Sequence, residues 1–455
     1  MVTHKIKKGY TIKLEGATHP EVRDTEMPKR FAIQPSDFLG VKPKLAADVG
    51  DTVSIGSVLF TDKENEKVKF LSPAAGKITR INRGERRLIK EIIIETDGDE
   101  AAVSFPKILM NEIAAKSRED IVNYLLEGGV WPYIRQRPFS KIANPRIVPR
   151  DIFISGLDTN PLAPDYSVML DNETDTFKLG VALLKKLTTG KVFFSIDASR
   201  TNYMSALQAI EGVEVHGFSG PHPAGNVSVQ IDRIAPMKRG DHIWYIYAPD
   251  VVLLGKLASE GKFPVNRIVA VAGSSVKEEK RRYYHTRLGI PVQALLQEGD
   301  LVDEDVRFIS GSVLQGREIE ATGFVGFYDH VVTVIPEKEE RQLLGWIYPG
   351  LKTISFSNTF LSSLFGPKKY IQDTRTHGGV RAFIQTGEYE KVMPLDILPM
   401  YLVKSIIAED IEEMENLGIL ECAPEDFALC TYICPSKIDF GAYIQKGLDM
   451  IAREG

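Results

Sequence analysis

Between Gly40 and Thr96, short apolar runs alternate with turn residues at close spacing. Thr52–Val53, Val58–Phe60, Val68–Leu71, Lys77–Ile81 and Ile89–Glu95 are β-prone; Gly50-Asp51, Gly56 and Ala75-Gly76 separate them. Runs this short, broken by permissive backbone, predict a small all-β sandwich or barrel. From about Glu112 the period lengthens. Ile113, Ile121 and Leu125 space as the buried face of a helix ending at Gly128-Gly129. Five apolar runs follow: Ile152–Ser155, Val192–Ile196, Val213–His216, His242–Tyr247 and Ile268–Ala272. Helical patterns lie between several of them, Phe177–Leu187 and Tyr203–Ile210, with Asp175 or Thr176 placed to cap the first. Strand–helix alternation predicts an α/β domain with a largely parallel sheet. Tyr283 to Pro336 is β-rich again, and the Ser-, Phe- and Gly-rich stretch that follows commits to no period.

The last part of the chain reads as helical. Val403, Ile407, Ile411 and Met414 share one face, with Glu409, Asp410, Glu412, Glu413 and Glu415 opposite and Gly418 as the stop. A final helix puts Phe440, Ile444, Leu448 and Ile451 on one stripe, and the two stripes are expected to bury each other. The chain therefore divides into 1–100 (N-terminal, with a barrel-sandwich module), 101–275 (α/β), 276–336 (β), 337–374 (linker) and 375–455 (helical).

A length of 455 residues suits three or four domains, and 43% hydrophobic with 26% charged residues excludes a disordered chain. A net charge of −5 argues against a nucleic-acid partner. Three cysteines, all from Cys422 onward, make no disulfide framework and fit a reducing compartment. No apolar leader and no long apolar span is visible, so work at a membrane is expected to go through partner proteins. Arginines at 80, 83, 86 and 87, and the basic residues Lys277, Lys280–Arg282 and Arg287, alternate with acids or turns as a solvated surface does.

Five motifs bear on chemistry. Thr61-Asp62-Lys63 followed by Ser72-Pro73 resembles a lipoyl or biotinyl carrier hairpin, with Lys63 at the modified position. The stretch between them is about two residues too long, and Glu64 departs from the pattern, which favours a solvated lysine. No strand end carries the G-x-G-x-x-G that lets backbone approach a pyrophosphate. Cys430 and Cys434-Pro435 sit where the last two ligands of an iron–sulfur motif belong, but Phe427 and Pro424 hold the other two positions and cannot ligate iron, and Cys422 is out of register. No metal site is expected. The segment Trp131-Pro132-Tyr133-Ile134-Arg135-Gln136-Arg137-Pro138-Phe139-Ser140 combines aromatic walls with donors, as a flat quinone head group with two carbonyl acceptors would want. The competing reading is a structural loop whose arginines pair with acids. Finally, Pro221-His222-Pro223 is a stiff loop whose histidine suits proton transfer or, more simply, a turn hydrogen bond; His377-Gly378-Gly379 reads the same way.

The Trp131–Ser140 segment, the loop Gly220-Pro221-His222-Pro223-Ala224-Gly225-Asn226 and Ile309-Ser310-Gly311-Ser312-Val313-Leu314, behind a carrier-like module, together resemble the NqrA family of Na+-translocating NADH:quinone reductases over nearly the whole chain. That resemblance implies a lipoyl/biotinyl-like barrel-sandwich domain, a Rossmann-like α/β domain, a β-grasp soluble-ligand-binding domain and a helical tail with a degenerate ferredoxin motif. It implies a peripheral component on the cytoplasmic side of the bacterial inner membrane, working with subunits B to F to reduce ubiquinone or menaquinone while Na+ is exported. NADH, FAD, FMN, riboflavin and a 2Fe-2S cluster would belong to the complex and none to this chain. The alternative is an Rnf-like electron-transfer protein carrying flavin or iron–sulfur centres. No catalytic residue is assigned. The candidate quinone-binding residues are Trp131, Tyr133, Arg135, Arg137, Phe139 and His222.

Overall fold

The computed structural model describes residues 1–199, 210–338, 349–383 and 387–454. The expected helix Tyr203–Ile210 falls almost wholly outside them.

The N-terminal module is two small sheets face to face. One holds Arg30–Ile33, Ile89–Glu95, Gly76–Arg83 and Thr52–Val53; the other holds Pro43–Leu45, Val58–Asp62 and Lys69–Leu71. Phe31, Phe60, Phe70, Ile78 and Ile94 fill the space between them, each at most 1% exposed. Gly76 has φ +152, and a Cβ there would lie 2.2 Å from the Glu95 carbonyl oxygen, so only glycine fits this turn. All five predicted strands are present.

The central sheet has the order Val2–Lys5, Glu214–Ser219, Val192–Asp197, Asp151–Gly156, Ile243–Tyr247, Arg135–Arg137, Lys141–Ile142. The first five strands are parallel; the last two form an antiparallel hairpin on the edge. Alternation along each strand sorts the side chains. Ile152, Ile154, Phe194, Trp244 and Ile246 join the core that includes the helices Thr174–Lys185 and Ala248–Glu260. Phe153, Phe193, Ile243 and Tyr245 face the other way, onto Val227 and Ile231 of the helix Val227–Ile234. The two helices on the first face touch through glycines. A Cβ on Gly180 would stand 2.2 Å from the Val251 carbonyl oxygen, and one on Gly255 1.9 Å from that of Thr176.

The second large sheet has the order Arg317–Ile319, Val306–Ser310, Val331–Pro336, Asn266–Ala272, Tyr283–Arg287, Val22–Asp24. The fifth apolar run, read as a strand of the α/β sheet, therefore lies in this one. Its antiparallel partner Tyr283–Arg287 follows closely in the chain and captures it.

Three local readings need correction. The helix expected through Ile113 and Leu125 is two pieces, Met110–Ile113 and Arg118–Glu127, because Ser117 caps the second by accepting from the Asp120 N–H. It does end at Gly128, with Gly129 at φ +69. The helix at Thr174 begins after Glu173, so neither Asp175 nor Thr176 is its cap. The stripe from Val403 to Met414 is also split. Pro399–Ala408 stops at Glu409, which is left-handed, and Asp410 caps Ile411–Asn416 by accepting from the Glu413 N–H at 3.0 Å. Within Pro399–Ala408 the buried face runs through Met400, Val403 and Ile406, so Ile407 points outward, 51% exposed, while Met414 stays buried. The last helix, Phe440–Glu454, buries Phe440, Ile444, Leu448 and Ile451 as read.

Candidate functional site

The edge hairpin of the central sheet positions the arginines. Antiparallel pairing sets Arg135 opposite Tyr245 and Arg137 opposite Ile243, so both arginines project to the Tyr245 face. The Arg135 guanidinium lies over three rings: Tyr328 at 4.6 Å, Tyr245 at 4.8 Å and Tyr247 at 5.2 Å. Cation–π contacts contribute about 0.5–1 kcal/mol when exposed and about 2 kcal/mol when desolvated. The Tyr328 ring is fixed by its hydroxyl, which donates to the Pro132 carbonyl at 2.7 Å. Arg137 is fully buried; it donates to the Glu425 carboxylate at 2.7 Å and to the Ser140 hydroxyl.

A cavity of about 160 Å³ opens beside this cluster, lined by Asp37, Arg135, Ser140, Tyr328, Glu425 and Gln445 among others. Each flanking module contributes: the barrel sandwich gives Asp37, the hairpin Arg135 and Ser140, the loop before Val331–Pro336 gives Tyr328, and the helical region gives Glu425 and Gln445. The volume is below the roughly 300 Å³ of a drug-sized site, so it admits a single ring and not a dinucleotide. The turn that delivers Ser140 holds Phe139 at φ +79 and Ser140 at φ +54, left-handed backbone that costs about 1 kcal/mol or more per non-glycine residue.

Three carboxyls in or beside the cavity are shifted in different directions. Burial pushes Asp37 up to about 6, against the pull of Arg317 and the Phe327 N–H. Burial works against an ionised Glu425 too, but Arg137, a backbone N–H and Arg135 outweigh it and hold its pKa below the usual carboxylate range. Burial and the Glu425 charge raise Asp426, which accepts from the Asn226 amide at 2.9 Å.

The other sequence candidates lie around this centre. Trp131 and Tyr133 are at most 1% exposed and do not line the cavity. The Trp131 indole donates to the Ala143 carbonyl at 2.7 Å and meets Trp244 edge-on at 5.4 Å. Tyr133 stacks on Phe327 at 4.5 Å, and its hydroxyl accepts from Arg267. Phe139 is half-buried under the Lys141 ammonium, 5.6 Å from its ring. His222 does not line the cavity: it is buried, 3.2 Å from the Thr159 hydroxyl, and burial lowers its pKa to about 4. Lys63 is exposed in the turn after Val58–Asp62. A larger groove of about 1580 Å³ lies on the second sheet, near Leu296, Phe308 and Glu337, and none of the sequence candidates lines it.

The sequence reading missed Tyr245, Tyr247, Tyr328, Asp37 and Glu425. Tyr245 and Tyr247 do show, as alternate residues of one strand, that two aromatics share a face. Nothing local marks Asp37, Tyr328 or Glu425, which arrive from distant parts of the chain.

Three family models cover most of the chain: the NqrA N-terminal barrel-sandwich hybrid domain over 4–97, the NqrA second alpha/beta domain over 116–263 and the NQRA C-terminal domain over 268–321. The A subunit of the Na(+)-translocating NADH-quinone reductase of Saccharophagus degradans is 40% identical over 99% of this chain and all of its own length. Its namesake from Psychromonas ingrahamii is 38% identical over 99% of both chains. The chain belongs to the NqrA family, the A subunits of Na(+)-translocating NADH-quinone reductases. A solved NAD+-reducing [NiFe]-hydrogenase chain matches at 11% identity and a TM-score of 0.39 over 78% of this chain and 67% of its own, too slight a likeness to carry an argument.

In this NqrA-family chain the fit of an iron–sulfur cluster is poor. Cys422, Cys430 and Cys434 are buried and unpaired. Cys422 donates to the Ile419 carbonyl, Cys434 lies 3.1 Å from the Tyr389 hydroxyl, and Phe427, at a ligand position of the motif, is fully buried. Among the described residues no three His, Cys, Asp or Glu side chains converge as a metal site. Nor does any described helix have the length and apolarity to cross a membrane.

Proposed function

We propose that this chain works as the NqrA component of a sodium-translocating NADH–quinone reductase and that the cavity at Arg135 receives the quinone head group. The full-length likeness to curated NqrA proteins carries the first part. The Arg135 guanidinium, held over three tyrosines at the mouth of a ring-sized cavity, carries the second. In this reading Arg135 donates to a quinone carbonyl and Ser140 and Tyr328 border the ring. Arg137 keeps Glu425 ionised and in place, and the isoprenoid tail stays outside. Trp131, Tyr133 and Phe139 act as the packing behind the site, and His222 as a hydrogen-bonded loop residue.

The chain brings no cofactor of its own; NADH oxidation, flavins, the 2Fe-2S cluster and Na+ passage belong to subunits B to F. It sits peripherally on the cytoplasmic side of the inner membrane. The parallel order of its central sheet supports a Rossmann-like label for 116–263, the paired small sheets a lipoyl-like label for the first module, and the mixed sheet from Asn266 onward a β-grasp label. Affinity capture of the tagged chain from detergent-solubilised membranes tests the assignment. A colourless, iron-free chain that brings down flavin-bearing membrane proteins supports it; a coloured chain, or one that captures none of them, overturns it.

A further inference from the structure

Six large apolar side chains between 351 and 380 are exposed: Leu351, Leu361, Leu364, Phe365, Ile371 and Val380. Leu364 and Phe365 are 74% and 77% exposed, adjacent, and at the end of the short helix Ser362–Phe365. A soluble chain gains nothing from presenting two such neighbours to water.

The tip is held out on a fixed base. Tyr370 is buried and exchanges backbone hydrogen bonds with the N-terminal segment, to the Lys13 carbonyl and from the Glu15 N–H, both at 2.8 Å. Its hydroxyl reaches the Ser362 carbonyl at 3.2 Å, and the Ser362 hydroxyl donates to the Thr353 carbonyl at 2.5 Å. Phe356 packs edge-on against Tyr10 at 5.2 Å.

Along the chain around the tip the unpaired charge is positive, while the nearby acids Glu15 and Asp373 are paired with Arg281 and Arg375. Lys352, Lys368 and Lys369 are exposed, and among the described residues none of the three has an ion-pair partner. The only acid between 349 and 381 is Asp373, which is paired with Arg375 at 2.6 Å. This positive segment stands in a chain whose net charge is −5.

We propose that the tip Leu361–Phe365 inserts into the interfacial layer of an anionic bilayer, with Lys368 and Lys369 on the lipid headgroups. Aliphatic and aromatic side chains flanked by lysines are the pattern of interfacial anchors, since the lysine stems bury while their ammonium groups stay among phosphates. A protein partner fits less well, because the most exposed apolar pair, Leu364 and Phe365, sits on a one-turn helix flanked by unpaired lysines, the pattern of a headgroup contact. This contact would be direct, in addition to any docking through partner proteins, and it does not depend on the quinone reading.

Vesicle sedimentation with the full chain tests it, using phosphatidylglycerol-containing and pure phosphatidylcholine vesicles at low and high salt. Binding is expected to the anionic vesicles only and to weaken with salt. Leu364→Ser/Phe365→Ser should lower the affinity about tenfold or more, and Lys368→Glu/Lys369→Glu at least about fivefold per lysine. Phe365→Cys carrying an environment-sensitive dye gives a second reading, since the native cysteines are buried; its emission should shift to the blue with anionic vesicles. No binding, affinity unchanged in the variants, or an unshifted dye would overturn the proposal. So would variants that keep vesicle binding but lose detergent-solubilised partner proteins, which would make the tip a protein interface.

Discussion

Glu425→Gln isolates one contact that joins the helical region to the central sheet. The Arg137 side chain has no exposure to water and Glu425 keeps 26%. Arg137 spends one N–H on Ser140 and one on Glu425, and its Nε has no partner among the described residues. Removing the carboxylate charge leaves a buried guanidinium with a hydroxyl, an amide oxygen, the Tyr245 ring at 5.1 Å and the charge of Asp426. Breaking a buried pair costs about 3–5 kcal/mol, and the partial hydration of Glu425 together with the retained amide places this case near or below the lower figure, about 2–3 kcal/mol. Arg137→Met removes the charge and fills much of its space, so the double variant Arg137→Met/Glu425→Gln should recover part of the loss. Urea unfolding followed by tryptophan fluorescence gives the coupling energy, expected at about 1.5 kcal/mol or more. A single variant within about 0.5 kcal/mol of wild type, or a double variant whose loss is the plain sum, would refute the reasoning.

Titration should separate two buried groups. Asp37 has its folded pKa raised to about 6, so the fold holds its proton more tightly than the unfolded chain. Its contribution to stability therefore falls as pH rises from about 4 to 6, and Asp37→Asn should flatten that part of the stability–pH curve by about 3 kcal/mol. His222 works oppositely, because its folded pKa is lowered to about 4. Stability present above about pH 6.5 is lost as pH falls toward 4, and His222→Gln should remove that acid-side loss. Gly255→Ala should cost about 2–3 kcal/mol by thermal unfolding, since its Cβ would collide with the Thr176 carbonyl and push two helices apart; a neutral result would mean that the helices can separate freely. Asp410→Ala should cost about 1 kcal/mol through the lost cap, measured by urea unfolding.

Local chemistry made much of the fold legible. The strands of the first module stand where turn residues cut short β runs, and the last helix carries its stripe as spaced. What failed was what local chemistry does not encode. Ile268–Ala272 looks like any buried strand, and only its partners place it in the second sheet. Ile407 fits the helical period of Val403, yet Ile406 takes the buried place, and Asp410, a better cap than a helix-interior residue, restarts the helix beyond. Val2–Lys5 and Val22–Asp24 edge two different sheets, and their short polar sequences do not announce it. The candidate site was half visible for the same reason. Arg135 and Arg137 stood out beside aromatics in one segment, but the rings that hold Arg135 come through strand register and a distant loop. Trp131 and Tyr133 looked like walls because aromatic residues serve cores and pockets alike.

The most direct measurement is quinone reduction by the assembled complex carrying Arg135→Gln, set beside its NADH oxidation with an artificial electron acceptor. The account predicts that the complex assembles, that the artificial-acceptor rate is unchanged, and that kcat/KM for quinone falls about tenfold or more, the loss of one charged hydrogen bond to a carbonyl. Unchanged quinone kinetics in a fully assembled complex would contradict it and remove the Arg135 cavity as the quinone site.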